Sequence, residues 1–151
     1  MPRSEAEART VIEETFPNLR GQQWAVASCY QPRYNCVAWA CHDDADRWEP
    51  ILAFWPADVA PNMRPSTVVQ LFELLGYEVC PTDELEPGFE KVAIYLDDQR
   101  FNFGHVARQL ESGRWISKLG SWEDIEHPDL AGLQGNRYGT ARIFLRRPRG
   151  R

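Results

Sequence analysis

The stretch GHVARQLESGRWISKL, from Gly104 to Leu119, contains two runs of strand-forming residues on either side of a short turn. Valine, isoleucine and tryptophan, interspersed with polar residues, are typical of half-buried β-strands. Between the runs, Glu111–Gly113 reads as a three-residue hairpin loop that ends in a glycine. The pattern therefore predicts an antiparallel hairpin, around which the rest of the chain can build a sheet.

The length of this loop decides which side chains share a face of the sheet. A three-residue loop with its glycine in the left-handed conformation pairs Leu110 with Arg114. That register puts Ser117 on the same face as His105. A two-residue loop would put Lys118 there instead, because a slip of one residue exchanges the two faces. We prefer the three-residue loop.

Further strands are predicted on both sides of the hairpin. The segment Lys91–Leu96 is a continuous strand-forming run, and Tyr138–Arg146 alternates apolar and polar residues. Short extended segments are predicted at 23–29 and at 77–80. A loop with a short helical piece is expected at Trp122–Glu126.

Two helices are assigned from their caps and apolar stripes. The first covers Ser4–Phe16 and opens with a capping box made by Ser4 and Glu7. The second covers Ser66–Leu75 and is followed by a glycine. Its apolar stripe consists of Val68, Leu71, Phe72 and Leu75. Because helices precede an antiparallel meander, we predict a single α+β domain over residues 1–151.

The composition is that of a globular domain. Of the 151 residues, 43% are hydrophobic and 12% are aromatic, which is enough for one core. The net charge of −5 argues against a nucleic-acid partner, and no apolar run is long enough to span a membrane. The charged amino terminus lacks a signal-peptide pattern, so we expect a cytoplasmic protein with reduced cysteines. The sequence implies no cofactor, and the cysteine and histidine spacings do not fit a metal site.

The stretch YNCVAWA, from Tyr34 to Ala40, contains the best candidate for a nucleophile. Asn35 is a strong N-cap residue, and Val37 and Ala40 follow at helical spacing, so Cys36 would lie in the first turn of a helix. A thiol there feels the positive end of the helix dipole, which lowers its pKa. The thiolate thus favoured is the form that attacks a carbonyl carbon.

His105 is the preferred base for this thiol. It opens a central strand, and Gly104 before it leaves room for another backbone or a substrate to come close. His42 lies six residues after Cys36 and would face away from it, while His127 stands in a loop or cap context.

A cysteine that opens a helix, followed by a meander with a histidine at the start of one strand, resembles the papain-like cysteine hydrolases, including the compact NlpC-type amidases. The segment Trp115–Trp122 is loosely similar to their tryptophan-lysine-asparagine strand, and Tyr138–Arg147 is similar to their final strand. The resemblance implies that the cysteine helix packs on the meander. Over Tyr34–Arg147 the chain also resembles an uncharacterised domain family with the motifs Asn-Cys-x-Ala-Trp-Ala and His-x-Ala-Arg-Gln.

The third catalytic group departs from the papain pattern. Papain relatives have an orienting asparagine where this chain has Leu119, which cannot hold an imidazole by a hydrogen bond. In the NlpC-like pattern the orienting residue falls at Ser117. Asp124 is the other candidate, reaching in from the following loop.

We therefore expect a cysteine hydrolase that cleaves an amide or peptide bond. Cys36 would attack the carbonyl, and His105 would take and return the proton. The Cys36 backbone N–H would supply part of an oxyanion hole, with Gln31 or Gln23 as a second donor.

Two other functions stay open at this point. The chain could be a papain-like binding module that presents the aromatic loop Trp48–Trp55 to a protein partner. It could also be an effector or toxin domain of the same fold. Selective alkylation of one cysteine would separate an enzyme from a binding module.

Overall fold

The computed structural model of this protein describes residues 4–28, 62–119 and 122–149. Within these ranges, helix α1 spans Glu5–Thr15 and helix α2 spans Pro65–Leu74. The strands are β1 (Ala25–Ser28), β2 (Glu78–Cys80), β3 (Phe89–Leu96), β4 (Phe103–Gln109), β5 (Trp115–Lys118), β6 (Asp124–His127) and β7 (Thr140–Pro148). Two short 3₁₀-helices cover Pro17–Leu19 and Leu130–Leu133.

These strands form one seven-stranded antiparallel sheet in the order β1-β6-β5-β4-β3-β7-β2. Strands β3, β4 and β5 form the predicted meander, and β6, which was not predicted as a strand, extends it. Strand β7 then returns to lie between β3 and β2, and β1 pairs with β6 at the other edge. The described residues thus confirm the α+β class. The predicted packing of the Cys36 helix on the meander lies outside them.

The β4–β5 hairpin has the predicted three-residue loop. The Leu110 N–H donates to the Arg114 carbonyl at 2.7 Å, and Gly113 is left-handed with φ 91°. The residues paired across the hairpin are Arg108 with Ile116 and Gln109 with Trp115. Ser117 therefore lies on the face of His105, because alternate residues of a strand share a face.

Both predicted helices are present, with ends within one residue of the predicted ones. The Ser4 N–H donates to Glu7 Oε1 at 2.9 Å and the Glu7 N–H donates to Ser4 Oγ at 3.1 Å, which completes the capping box. Helix α2 begins one residue earlier than predicted, at Pro65, whose fixed φ suits a first helical position. Gly76 follows α2 with φ 95°, a conformation that favours glycine.

A hydrophobic core lies on each face of the sheet. The α2 core consists of Val68, Leu71, Phe72, Tyr77, Val92, Ile94, Leu96, Val106 and Leu145. The α1 core consists of Ala8, Ile12, Phe16, Leu19, Trp24, Ala93, Tyr95, Ala107, Trp115, Leu119, Ile125, Leu130 and Leu133. Neighbouring residues of β3 alternate between the two cores, as expected for a strand covered on both faces.

The prediction of a short helical piece at Trp122–Glu126 was wrong. Strand β6 lies there instead, paired with β5 on one side and β1 on the other. Its residues alternate, so that Ile125 enters the α1 core while Glu126 is half-buried. Pairing on both sides and burial of three of its four residues outweigh a weak local preference for helix.

Leu71→Ala is expected to lower the free energy of unfolding by about 2–5 kcal/mol, because it leaves a cavity in the α2 core. Leu71 is fully buried, whereas Leu74 on the same helix is 53% exposed. Leu74→Ala is the matched control, and we expect it to change stability by only about 0.5 kcal/mol. Denaturant melts of the two variants measure the difference. Equal losses would contradict the packing described for α2.

Candidate functional site

The residues predicted to form the site are only partly described by the structure. Cys36 and Gln31 lie outside the described residues, as does the aromatic loop Trp48–Trp55. His105, Ser117 and Asp124 are described and are buried. Gln23, a candidate oxyanion donor, is exposed just before β1.

His105 lies near the start of β4 and is completely buried in the α1 core. Its ring stacks on that of Tyr138, with the centroids 4.2 Å apart and the planes 3° from parallel. The ring of Tyr95 contacts it at a tilt of 59°, with a centroid distance of 5.4 Å. Neither imidazole nitrogen of His105 has a hydrogen-bond partner among the described residues.

The close approach expected at Gly104 is made by the backbone of Tyr138. A Cβ at position 104 would collide with the Tyr138 carbonyl oxygen, so only glycine fits there without a shift. The loop that carries Tyr138 is closed by two backbone hydrogen bonds between Gly135 and Gly139, of 3.1 and 2.8 Å. The position of the tyrosine over His105 is thus set by the backbone on both sides.

Burial holds His105 in its neutral form. Desolvation lowers the pKa of this imidazole well below its ordinary value, and the positive charge of a protonated His127 would lower it further. A neutral imidazole can accept a proton from a thiol, which a protonated one cannot. The imidazole is therefore neutral, and a pKa so far below neutral pH makes it a weaker base than an exposed histidine.

Ser117 and His127 form a second polar pair in the α1 core. The Nδ1 of His127 lies 2.7 Å from the carbonyl oxygen of Asp129, so this nitrogen carries the proton and donates. The Nε2 is then an acceptor for the Ser117 hydroxyl, 2.8 Å away. The hydroxyl predicted to orient His105 is instead bound to a different histidine.

His127 was predicted to stand in a loop or cap, and this was wrong. It is the last residue of β6 and is completely buried. Desolvation lowers its pKa to about 4, although Asp129 acts in the opposite direction. The alternation through Ile125 and His127 is the signal in the sequence that indicates a strand here.

Asp124 lies on the other face of the sheet from His105. Register places Asp124 opposite Lys118 and places the next residue, Ile125, opposite Ser117. Because neighbouring residues point to opposite faces, the side chain of Asp124 points away from the α1 core that holds His105. The structure does not bring this second candidate orienting group to the imidazole.

The part of the chain that the structure describes contains neither a metal-binding cluster nor a membrane-spanning helix. There, no three histidine, cysteine, aspartate or glutamate side chains lie close enough to hold a metal ion. Neither described helix is long and apolar enough to cross a bilayer.

Comparison with known proteins assigns the chain to a family. The fold and the site define the class of protein, which is an antiparallel α+β protein with a buried histidine at the start of a central strand. Residues 25–146 match the model of the family described as "Domain of unknown function (DUF7689)", and the chain belongs to that family. No curated protein and no solved structure matches the chain significantly.

Proposed function

We propose that this protein is a cysteine hydrolase of papain-like fold that cleaves an amide or peptide bond. Cys36 is its nucleophile and His105 its base. The thiolate attacks the carbonyl carbon to give a tetrahedral oxyanion, and the amine then leaves with the proton that His105 returns. Water, deprotonated by the same imidazole, releases the acid product and restores the thiol.

The observation that carries the proposal is the state of the His105 imidazole. A buried polar group without a hydrogen bond costs about 1–3 kcal/mol, so such groups are rare in native proteins, and a catalytic role is one physical reason to keep one. His105 is also neutral, held in one plane, and preceded by a glycine against which another backbone packs. A neutral and oriented imidazole is ready to accept a proton, and the charge of a thiolate formed beside it would raise its pKa toward the neutral range that a general base needs.

Ser117 is the third residue that the NlpC-like pattern indicates, but its hydroxyl is not hydrogen-bonded to His105. Its hydroxyl shares the face of His105 but donates to His127. Within the proposal, Ser117 therefore supports the core around the base and would contact His105 only after releasing His127.

A non-catalytic binding module is the second candidate, and one observation favours it. His105 has no exposed surface, so a substrate atom cannot reach the ring without some movement of its neighbours. In that alternative, the imidazole is a core residue and the thiol of Cys36 has ordinary reactivity.

Alkylation by iodoacetamide at pH 7 separates the two candidates. We expect Cys36 to react at least about tenfold faster than Cys29, Cys41 and Cys80, because only a thiolate is a strong nucleophile. Cys80 is a built-in reference, since it is buried and desolvation raises the pKa of its thiol. Peptide mapping by mass spectrometry gives the rate at each cysteine. Slow labelling of all four thiols would reject the enzyme and favour the binding module.

A further inference from the structure

We propose that Tyr138 is the positioning residue that fixes the ring plane of His105, in place of the orienting asparagine that this chain lacks. The inference rests on the proposed function, since it assigns a partner to the proposed base. It names a residue that no motif in the sequence indicates.

The first reason is that the described residues do not provide the hydrogen bond that usually orients a catalytic imidazole. A catalytic imidazole must present one nitrogen in a fixed direction, and a hydrogen bond to the other nitrogen ordinarily provides this. Among the described residues, neither nitrogen of His105 accepts or donates such a bond. Ser117 is bound to His127, and Leu119 has no polar atom to offer. Within the described part of the chain, the contacts that can orient the ring are therefore those with its faces.

The second reason is the geometry of the stack. The rings of His105 and Tyr138 are 3° from parallel at a centroid distance of 4.2 Å. Rotation of the imidazole about its Cβ–Cγ bond would drive its edge into the tyrosine ring, so this contact selects the ring plane. Tyr95 limits the ring in a second direction, because it lies at 59° to it.

The third reason is that Tyr138 is itself held from several sides. Phe16 packs against its ring at a centroid distance of 4.9 Å, and Gly104 lets the two backbones touch. Gly139, whose φ is 81°, also admits no Cβ, because one would collide with the Leu96 carbonyl. A ring supported in this way can constrain another ring, whereas a mobile surface tyrosine could not.

The test compares Tyr138→Phe, which keeps the ring, with Tyr138→Leu, which removes it. The readouts are the ring resonances of His105 in nuclear magnetic resonance spectra and the pH profile of Cys36 alkylation by iodoacetamide. In Tyr138→Leu we expect the His105 resonances to move and broaden, and alkylation at pH 7 to slow about 10- to 100-fold, because a small misplacement of a catalytic group is costly. Tyr138→Phe should keep both readouts close to those of the wild type.

Two outcomes would overturn the inference. One is a Tyr138→Leu variant whose His105 resonances and alkylation profile are unchanged. The other is a Tyr138→Phe variant as impaired as Tyr138→Leu, which would assign the effect to the hydroxyl group rather than the ring face. If wild-type Cys36 shows no selective alkylation, the proposed function fails. The His105 resonances would still report whether Tyr138 holds the ring.

Discussion

Cys36→Ala and His105→Phe are each expected to lower turnover of p-nitrophenyl acetate by about 1,000-fold or more, while His105→Phe leaves the fold as stable as before or more stable. Loss of activity follows because a nucleophile and its base act as one unit. For the same reason, the double variant should lose little more than either single one. Release of p-nitrophenol measures turnover, and a mass increase of one acetyl group on Cys36 detects the acyl-enzyme.

The stability of His105→Phe distinguishes a catalytic role of the imidazole from a role in packing. Phenylalanine has no polar atoms, so it removes the cost of burying two imidazole nitrogens that have no partner in the described parts of the chain, about 1–3 kcal/mol. It also keeps an aromatic ring against Tyr138 and Tyr95. A variant with a higher free energy of unfolding and no turnover would indicate that His105 is kept for catalysis rather than for packing. Cys80→Ala is the matched control, since it removes a buried thiol that has no proposed role.

The opposite result would be equally clear. Full turnover in His105→Phe would exclude the imidazole as the base, and full turnover in Cys36→Ala would exclude the thiol as the nucleophile. A loss of turnover in Cys80→Ala as large as in Cys36→Ala would mean that the ester assay does not report on a specific site.

The free energy of unfolding is expected to fall by about 3 kcal/mol, from His127 alone, as the pH is lowered from 6.5 to 4. The pKa of His127 is about 4 in the folded protein and about 6.5 when unfolded. The unfolded chain therefore takes up the proton first. Stability is full above pH 6.5, declines through the interval and levels off below pH 4. His105 adds to this loss, because its pKa is also lowered.

Denaturant melts at several pH values measure this dependence. His127→Gln is the informative variant, since its side chain can accept a hydrogen bond from Ser117 but does not titrate. Between pH 6.5 and 4, we expect its free energy of unfolding to change by about 3 kcal/mol less than that of the wild type. The carboxyl groups of Glu86 and Asp97, whose pKa values are lowered, begin to lose their contribution only as the pH falls to the ordinary carboxylate pKa, at the acid end of this interval. A wild-type stability that is flat from pH 6.5 to 4.5 would contradict the neutral, buried state of His127.

The features predicted correctly from the sequence are those set by neighbouring residues. The capping box of Ser4 and Glu7 depends on a three-residue spacing, and the hairpin register depends on Gly113 and the length of one loop. The apolar stripe of α2 is likewise local. Each of these features depends on a few adjacent positions, so the local sequence is sufficient to predict it.

The features that escaped prediction depend on distant parts of the chain. His127 lies on a strand because β1, far earlier in the sequence, and β5 both pair with it. The pairing of Ser117 with His127 follows from that strand and was therefore missed as well. Tyr138 reaches His105 through the close contact of its backbone with Gly104, which periodicity cannot reveal. Only the role of Gly104 as a site of close approach was visible beforehand.

The position of β7 has a consequence for the order in which the protein can fold. This strand lies between β3 and β2, and β2 pairs with no other described strand. During synthesis on the ribosome, β2 and β3 emerge well before β7, the strand that pairs with both. The part of the sheet that α2 covers therefore stays incomplete until Thr140–Pro148 has been made. Pairings between segments so far apart in sequence close slowly, and the exposed apolar face of α2 is vulnerable to aggregation in the interval. The sheet should therefore be completed late in folding, with β7 as the strand that joins β2 to β3.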